Sequence, residues 1–592
     1  MFLRTVKAAG GAGVQHEYVR LVEAYREHGK NKQRIVCNLG RKDLLAAHLD
    51  ALIRLLRGEP RPGERVRVGQ VHATGAWDWG PMLVARTLWR DLGLEAILDQ
   101  QGGRGRPDGL ALADRALVLV ANRLCAPTSE HGLARWLETD FVCDRRGRRW
   151  VPQWRDDAER RASRLPRVRI QLRQLKQWYR TLDQLAARKP AIEQDLYLRL
   201  RDLFSLKVDL VLYDLTSTYF EGQGPPMLGA HGHSRDGKPR NRQVLVGLVM
   251  VDGWPITHHV FRGSWRDATT VPQVLSDLEQ RFGLRRVVFV GDRGMVTADN
   301  LALVRARQQG YVVGLTRRRR EDVYRAIERA TGRWTECPVG ITAREQAEPP
   351  TTRVQEVASD HPGVRIFVVH SDERLAYERA QRLKAMERVR TQLEALERRV
   401  AHGQLKAPAK IGAAAARILG RFHGYRYYDW EYTTGRFRFF EHPVNLKREQ
   451  AYEGTYVIQT EEPHLTPIEA VRIYKELSEV ERAFGTLKDV IELRPIYHQT
   501  DARVQAHIFV AALAFLLHRA IEKKLKAAGL DLSSTEALQV LRSVRVVDFT
   551  LGPGHPKRSV TRGTTRAARI LAALGITDLD PPTPPQEAAT IA

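Results

Sequence analysis

Hydrophobic positions along the chain follow helical spacing in one part and strand-like runs in the next. From Pro81 to Leu203 apolar residues recur at helical intervals, as in the early face that contains Leu83, Leu88 and Leu92. From Val208 onward, short apolar runs predict five strands, at Val208–Tyr213, Val244–Val251, Ile256–Phe261, Val287–Val290 and Tyr311–Leu315. Helical stretches at 270–282 and 298–309 separate the later strands. The predicted order is therefore β-β-β-α-β-α-β.

This order favours a mixed sheet with helices on its faces, because a strand, a helix and a further strand form a right-handed parallel crossover. Between 317 and 465 the pattern changes to a charged helix, Ser371–Val400, an aromatic strand-like segment, Tyr425–Glu441, and a strand candidate at Gly454–Thr460. Long amphipathic helices return afterwards. The middle region is therefore interpreted as an insertion within the sheet domain.

The changes in hydrophobic pattern along the chain predict an α/β protein of six segments. The first seventy residues combine a strand-like run, Arg34–Cys37, with an amphipathic helix, Lys42–Arg57. The predicted segments are 1–70, a small α+β unit; 71–205, helical, basic and predicted to bind DNA; 206–318, the first part of the sheet domain; 319–465, the strand-containing insertion; 466–530, the second part of the sheet domain; and 531–592, a C-terminal accessory segment.

The composition is that of a large globular protein. It has 592 residues, of which 43% are hydrophobic and 28% charged, so it can bury a core in several domains. The longest apolar run, Ile508–Leu517, is shorter than the roughly 20 residues that cross a bilayer, which predicts no membrane span. The four cysteines lie far apart in the sequence. This spacing favours a cytoplasmic protein with reduced thiols and no zinc module.

Charge points to a polyanionic partner. Lysines and arginines number 95 against 69 acidic residues, a net charge of +26, and nucleic acid is the first candidate for such a protein. Codon usage in a GC-rich genome is the alternative source of the arginines. The basic clusters at 145–149 and 160–179 fit either a solvated helical face or a surface that contacts DNA phosphates.

Two aspartates occupy matching positions in the predicted sheet. Asp214 ends the run LVLYD, and Asp292 ends the run VVFVGD. In open α/β sheets, ligands bind at the carboxyl ends of such strands. A carboxylate there is costly to bury unless it is paired, hydrogen-bonded or bound to a metal. For either residue alone, a turn or helix cap is the simpler interpretation. Two aspartates in matching positions of one sheet favour a ligand-binding site.

A third carboxylate comes from the helix that begins at Thr466-Pro467. Its apolar stripe predicts a core-facing helix and consists of Ile473, Leu477, Val480, Phe484 and Leu487. Tyr474, Glu481 and Lys488 are spaced by seven, which predicts one line of side chains beside that stripe. Glu481 would lean over the sheet edge, and Lys488 would stay free to meet an anion. The alternative is a solvated Glu-Lys face.

The segments YDLTSTYFEG, VVFVGDRGM and YKELSEVERAFGTLK, followed by RPIYH, resemble the catalytic blocks of DDE transposases with a ribonuclease-H-like core. More narrowly, they resemble the insertion-sequence-four group and its branch numbered sixteen thirty-four. The resemblance implies that Asp214, Asp292 and Glu481 are the metal-binding triad, and that Tyr474 and Lys488 assist at the transposon end.

Two further positions depart from the family pattern or lack a match. Leu477 stands where the family has an arginine, so Arg482 or Lys475 would have to supply that phosphate contact. Trp430 is the candidate for the tryptophan with which the family's insertion holds a displaced base. His231 and His233, in the loop before the second strand, are a weak zinc pair, and a solvated loop facing DNA is the preferred interpretation.

The resemblance implies an enzyme that binds two Mg²⁺ ions, for which Mn²⁺ can substitute, and acts on double-stranded DNA at terminal inverted repeats and at a target. It also implies a DNA hairpin during excision, a homodimer on paired ends, and a place at the nucleoid of a bacterial cytoplasm. Two alternatives stay open: a ribonuclease-H-like nuclease without strand transfer, and a non-catalytic basic DNA-binding protein derived from a decayed transposase.

Overall fold

The structure is a computed structural model that describes residues 2–9, 15–27, 30–42, 71–102, 111–151, 167–206, 210–284, 287–295, 297–316, 321–337, 351–433, 435–551 and 556–582. Buried hydrophobic side chains in these residues form one large core and three smaller clusters. The large core runs through the helical region, the main sheet and the C-terminal helices.

The N-terminal segment contains more strand than the sequence pattern predicts. Its antiparallel sheet consists of β1 (Phe2–Ala9), β2 (Gln15–Glu27) and β3 (Lys30–Arg41). The predicted strand at Arg34–Cys37 is confirmed as part of β3. The predicted helix Lys42–Arg57 lies, apart from Lys42, outside the described residues. A further strand, β4 (Val71–Asp78), belongs to a different sheet.

The helical region predicted from Pro81 to Leu203 is confirmed. Its helices are α1 (Gly80–Asp91), α2 (Leu94–Gly102), α3 (Leu112–Cys125), α4 (Leu133–Thr139) and α5 (Arg167–Phe204). Of the basic cluster at 160–179, the residues before Arg167 and the side chains up to Arg173 lie outside the described part of the chain.

The basic cluster at 145–149 lies in the connection between α4 and α5, so a helical face is the wrong description of it. Arg145 forms an ion pair with Asp99, and the guanidinium of Arg149 lies 3.7 Å from the ring centroid of Trp77. Arg148 also forms an ion pair with Asp144, so two of the four arginines of this cluster have acidic partners within the chain.

The predicted sheet is confirmed with its element order. Its first part consists of β5 (Leu210–Tyr219), β6 (Gln243–Val251), β7 (Trp254–Arg262), α6 (Val271–Phe282), β8 (Val288–Gly291), α7 (Ala298–Ala306) and β9 (Gly310–Gly314). Strands β5, β6 and β7 are antiparallel neighbours, whereas β8 runs parallel to both β5 and β9. Every residue of β6 is buried, as expected of a strand covered on both faces.

The region between 319 and 465 extends this sheet. Its elements are α8 (Glu321–Arg329), β10 (Thr335–Cys337), β11 (Thr352–Val357), β12 (Arg365–Ser371), α9 (Asp372–Ala401), α10 (Pro408–Arg421), β13 (Tyr428–Thr433), β14 (Arg436–Glu441), α11 (Pro443–Tyr452) and β15 (Thr455–Thr460). The nine strands of the sheet follow the order β10-β11-β12-β15-β9-β8-β5-β6-β7. The hairpin β13–β14 stands apart, and it shares its own apolar cluster with α9 and α10.

The C-terminal part returns to helices and then closes a small sheet. Its elements are α12 (Pro467–Gly485), α13 (Asp501–Ala527), α14 (Ser534–Leu541), β16 (Arg545–Leu551), β17 (Pro556–Val560) and α15 (Thr565–Ala573). A π-helical turn, Thr486–Val490, continues α12. Strand β16 lies between β17 and β4, with Arg545 opposite Asp78.

Helix α13 is the one helix among the described residues that is long and apolar enough to cross a membrane. Within the most apolar part of this helix, 83% of the residues are buried inside the protein. The helix packs against α3, α5 and β7. Its apolar character is therefore that of a central core helix.

Candidate active site

The strand register brings the two predicted aspartates together. Strands β5 and β8 pair in parallel, and their last paired residues are Tyr213 and Gly291. The next residues along the two strands are Asp214 and Asp292. Asp292 follows the end of β8, as predicted. Asp214 does not end its strand, because β5 continues to Tyr219 by pairing with β6 alone.

Helix α12 carries the third carboxylate across these strands. A capping box formed by Thr466 and Glu469 fixes the start of the helix. The predicted apolar stripe is confirmed, since all five of its residues are buried. The helix packs on β5, β8 and β9. Glu481 follows the fully buried Val480 and is exposed to solvent.

The electrostatics of Asp214 show that the other two carboxylates lie near enough to influence its charge. Burial is the main cause that raises the pKa of the Asp214 carboxyl to about 7. The charges of Asp292 and Glu481 raise it further, while the backbone N–H of Leu215 and the guanidinium of Arg235 oppose the rise. Negative charges near a buried carboxyl disfavour its ionised form. The sheet and α12 therefore bring together the acidic residues that the sequence pattern singled out.

Lys488 does not lie where the spacing of seven predicts. It belongs to the π-helical turn, whose extra residue per turn rotates it away from the line of Tyr474 and Glu481. Its Nζ donates to Asp236 Oδ1 at 2.7 Å, and 10% of its side chain is exposed. The expectation of a lysine free to meet an anion is therefore wrong.

The loop between β5 and β6 is only partly the solvated loop that the sequence suggests. His231 and His233 are exposed. Asp236, however, has a side chain only 2% exposed, and it accepts hydrogen bonds from Lys488 and Arg494. No local pattern marks this aspartate, because its neighbours in the sequence are polar and charged.

Arg235, the residue before it, connects the loop to both aspartate-bearing segments. Its backbone N–H donates to Ser217 Oγ on β5 at 2.9 Å, and its Nη2 donates to both carboxylate oxygens of Asp267, at 2.8 and 2.6 Å. An added Cβ at Gly294, just after Asp292, would lie 3.0 Å from Asp267 Oδ2. The Arg235 guanidinium thus belongs to the surroundings of the site, which the sequence analysis missed.

Tyr474 of α12 packs against β9. An added Cβ at Gly314 would lie 2.2 Å from the Tyr474 hydroxyl, and the ring centroids of Tyr474 and Tyr456 are 5.8 Å apart. Tyr474 is half-buried. Its contact with a transposon end stays a prediction.

The other predicted DNA contacts differ in their exposure. The side chain of Arg482 is 73% exposed, with Glu479 at 3.4 Å. Lys475 is half-buried and donates to Thr352 Oγ1 at 3.2 Å. Leu477, at the family's arginine position, belongs to the core. Of the two proposed replacements for that arginine, Arg482 is the one exposed to solvent.

Trp430 lies in the β13–β14 hairpin, where its ring stacks on Phe437 with centroids 5.7 Å apart. It is partly buried against the apolar cluster of the hairpin. A role in holding a displaced base stays a prediction.

A second titratable cluster lies between the helical region and the chain after α12. Ligand atoms of Glu130, His498 and His507 lie within 4.8 Å of one another. Both ring nitrogens of His507 have partners, because Nε2 donates to the Leu493 carbonyl at 3.1 Å and Nδ1 accepts from Arg123 at 3.3 Å. A guanidinium at this distance disfavours a bound cation. The cluster is a buried structural connection.

Comparisons with known families agree with this geometry. The model of the transposase DDE domain matches residues 212–517, just over half of the chain and a range that contains all three carboxylates. The model of the N-terminal domain of IS1634 family transposases matches residues 3–64. No curated protein matches the chain. Enzymes with the DDE domain act on DNA by phosphoryl transfer, generally use divalent metal ions and are intracellular. The chain therefore belongs to the DDE transposases, in the IS1634 family, and its function is the transposition of an insertion sequence.

Proposed function

We propose that Asp214, Asp292 and Glu481 are the residues with which this transposase cuts DNA at the ends of its element and joins those ends to a target. The observation that carries the proposal is the raised pKa of Asp214, to which the charges of the other two carboxylates contribute. The three come from separate parts of the sequence. Asp214 and Asp292 directly follow the last paired residues of two parallel strands, and the helix that carries Glu481 packs on both strands, an arrangement that suits a shared ligand.

The donor set fits Mg²⁺. Three carboxylates at short range repel one another unless protons or a cation offset their charge. Their oxygens are the ligands that Mg²⁺ prefers, and Mn²⁺ accepts the same set. We expect Asp214, Asp292 and Glu481 to hold two such ions. When bound, the ions would supply activation of the attacking oxygen and stabilisation of the leaving one.

The residues around the proposed site influence the protonation of its ligands. Asp214 must lose its proton before it can act as a ligand, and Arg235 favours that loss. In the first step water attacks the phosphodiester at the element's end, the P–O bond to the 3′ oxygen breaks, and the 3′ oxygen takes up a proton. The freed 3′-hydroxyl then loses its proton and attacks a phosphodiester in the target: a new P–O bond joins the element's end to the target, the target's own P–O bond to its 3′ oxygen breaks, and that oxygen takes up a proton. One site can perform both steps, without a covalent bond between protein and DNA.

The DNA partners are the element's terminal inverted repeats and the target duplex. Arg482 is exposed on α12, one residue after Glu481, so it can reach a phosphate beside the cleaved bond. Two ends have to be cut and joined together. We therefore also propose a homodimer on paired ends, which light scattering of the protein–DNA complex would detect. The place of action is the bacterial nucleoid.

An assay with purified protein, Mg²⁺, paired element ends and a target plasmid tests the proposal. Joined product is the expected result. Nicks alone would favour a nuclease without strand transfer, and retention of DNA without cutting would favour a non-catalytic binder.

Three variants test the individual residues in the same assay. Asp214→Asn, Asp292→Asn and Glu481→Gln should each abolish cutting and leave DNA retention intact, because they remove ligand charge with little change of shape. Asp489→Asn, on an exposed side chain of the following turn, is the matched control. Near-normal cleavage by any of the three would remove that residue from the site.

A further inference from the structure

Asp236 is a buried carboxylate outside the three proposed ligands. Its side chain is 2% exposed, and one of its oxygens, Oδ1, accepts hydrogen bonds from both Lys488 and Arg494. The other oxygen, Oδ2, is buried without a hydrogen bond from the described residues. A carboxylate is costly to bury, and the loss of one partner leaves an uncompensated charge. The contact therefore strongly constrains the groups that it joins.

The two cations that Asp236 holds lie just beyond the end of α12. Lys488 belongs to the π-helical turn that continues the helix from Gly485. Arg494 follows this turn and also donates to Asp489 Oδ1 at 2.7 Å. Asp236 thus attaches the loop between β5 and β6 to the π-helical turn itself, through Lys488, and to the segment after it, through Arg494.

The same loop is attached to the strand that carries Asp214. The backbone N–H of Arg235 donates to Ser217 Oγ, three residues beyond Asp214 on β5. Its guanidinium binds Asp267, which lies beside the turn after Asp292. Two adjacent loop residues, Arg235 and Asp236, therefore connect the aspartate-bearing strands to the end of the glutamate-bearing helix.

We propose that Asp236 is a positioning residue, which holds Lys488 and Arg494 and thereby fixes Glu481 opposite Asp214 and Asp292. This inference rests on the proposed function, because it assumes that the three carboxylates bind metal together. Asp236 acts through the turn behind the helix and contacts neither metal nor DNA.

Titration of Mn²⁺ into the full-length protein without DNA, followed by electron paramagnetic resonance, tests the proposal. Asp236→Asn should weaken Mn²⁺ binding by about ten- to a hundredfold, which is the usual effect of replacing a residue that positions a metal ligand. Cleavage should fall in parallel, with an unchanged far-ultraviolet circular dichroism spectrum. Asp489→Asn removes the exposed partner of Arg494 and should change neither measurement.

A further variant, Lys488→Met, makes each outcome decisive. If Asp236→Asn fails to fold, Lys488→Met tests the same contact from the other side and should weaken Mn²⁺ binding similarly. Mn²⁺ binding of wild-type strength in either folded variant would overturn the proposal. A second outcome would also overturn the proposal: Asp236→Asn binds DNA more tightly, with a steeper salt dependence, while its Mn²⁺ affinity is unchanged. In that case the role of Asp236 is to shield Lys488 and Arg494 from DNA.

Asp214→Asn separates this inference from the proposed function. That variant should lose Mn²⁺ binding whatever Asp236 does. If it binds Mn²⁺ as well as the wild type, the proposed metal site fails. If it loses Mn²⁺ and Asp236→Asn does not, the metal site stands and only the positioning role is lost.

Discussion

Gly291 of β8 is the parallel register partner of Tyr213 of β5, so the next residues, Asp292 just after β8 and Asp214 within β5, follow adjacent positions of the sheet. This pairing is what makes the charge of Asp292 act on Asp214. Together with burial and the charge of Glu481, it holds the pKa of Asp214 near neutrality, at about 7. Two consequences for pH dependence can be measured.

Metal binding and cleavage should rise with pH through about 7. Below the pKa, the proton on Asp214 competes with the cation, and one released proton means a change of about tenfold in apparent affinity per pH unit. Initial cleavage rates between pH 5.5 and 8.5 at subsaturating Mg²⁺ provide the measurement. Saturating Mg²⁺ should move the profile to lower pH. A flat profile across this range would contradict the assignment of Asp214.

The metal-free protein should become less stable as the pH rises. The folded state holds the Asp214 proton up to about pH 7, whereas the unfolded chain releases it at about pH 3.9. The folded state binds more protons in this window, so the free energy of unfolding falls as pH increases. Asp214→Asn removes this effect and should raise the melting temperature at pH 8 more than at pH 5. A lower melting temperature of the variant at pH 8 would disprove it.

Arg482 and Lys488 should differ in their effect on DNA binding. Arg482 is 73% exposed, so Arg482→Ala should weaken end binding and reduce the salt slope of the binding constant by about one. Lys488 is held by Asp236, so Lys488→Met should leave that slope unchanged. Fluorescence anisotropy at several salt concentrations measures both. Equal slopes for Arg482→Ala and wild type would exclude a phosphate contact by Arg482.

The close approach of Tyr474 to β9 makes Gly314 sensitive to substitution. An added Cβ would lie 2.2 Å from the Tyr474 hydroxyl, so Gly314→Ala should cost about 1–3 kcal/mol of stability through overpacking. Gly485, at the end of α12, is the control. Outside its own helix backbone and chain neighbours, its added Cβ would meet no described atom within 4 Å. Gly485→Ala should therefore stabilise by about 0.5–1 kcal/mol. Urea denaturation distinguishes the two, and similar midpoints would refute the clash.

The sequence pattern predicted those parts of the fold that depend on local order. The strands are short apolar runs, and α12 has both a cap and a continuous stripe, so β5 to β9 and Asp214, Asp292 and Glu481 could be identified. The pattern did not predict that β10, β11, β12 and β15 extend the same sheet, because strand pairing between distant segments leaves no local mark. It also missed the π-helical turn that displaces Lys488 and the burial of Asp236 in a polar loop.

The pairing of β4 with β16 has a consequence for how the protein is made. Arg545 and Asp78 are 467 residues apart in the chain, and they are joined by a 2.9 Å hydrogen bond. Nearly the whole polypeptide must therefore leave the ribosome before β4 acquires its neighbour. A gene copy with an early stop codon would yield a product that lacks this closure. Such truncated products should be degraded rather than compete with the intact protein for the ends of the element.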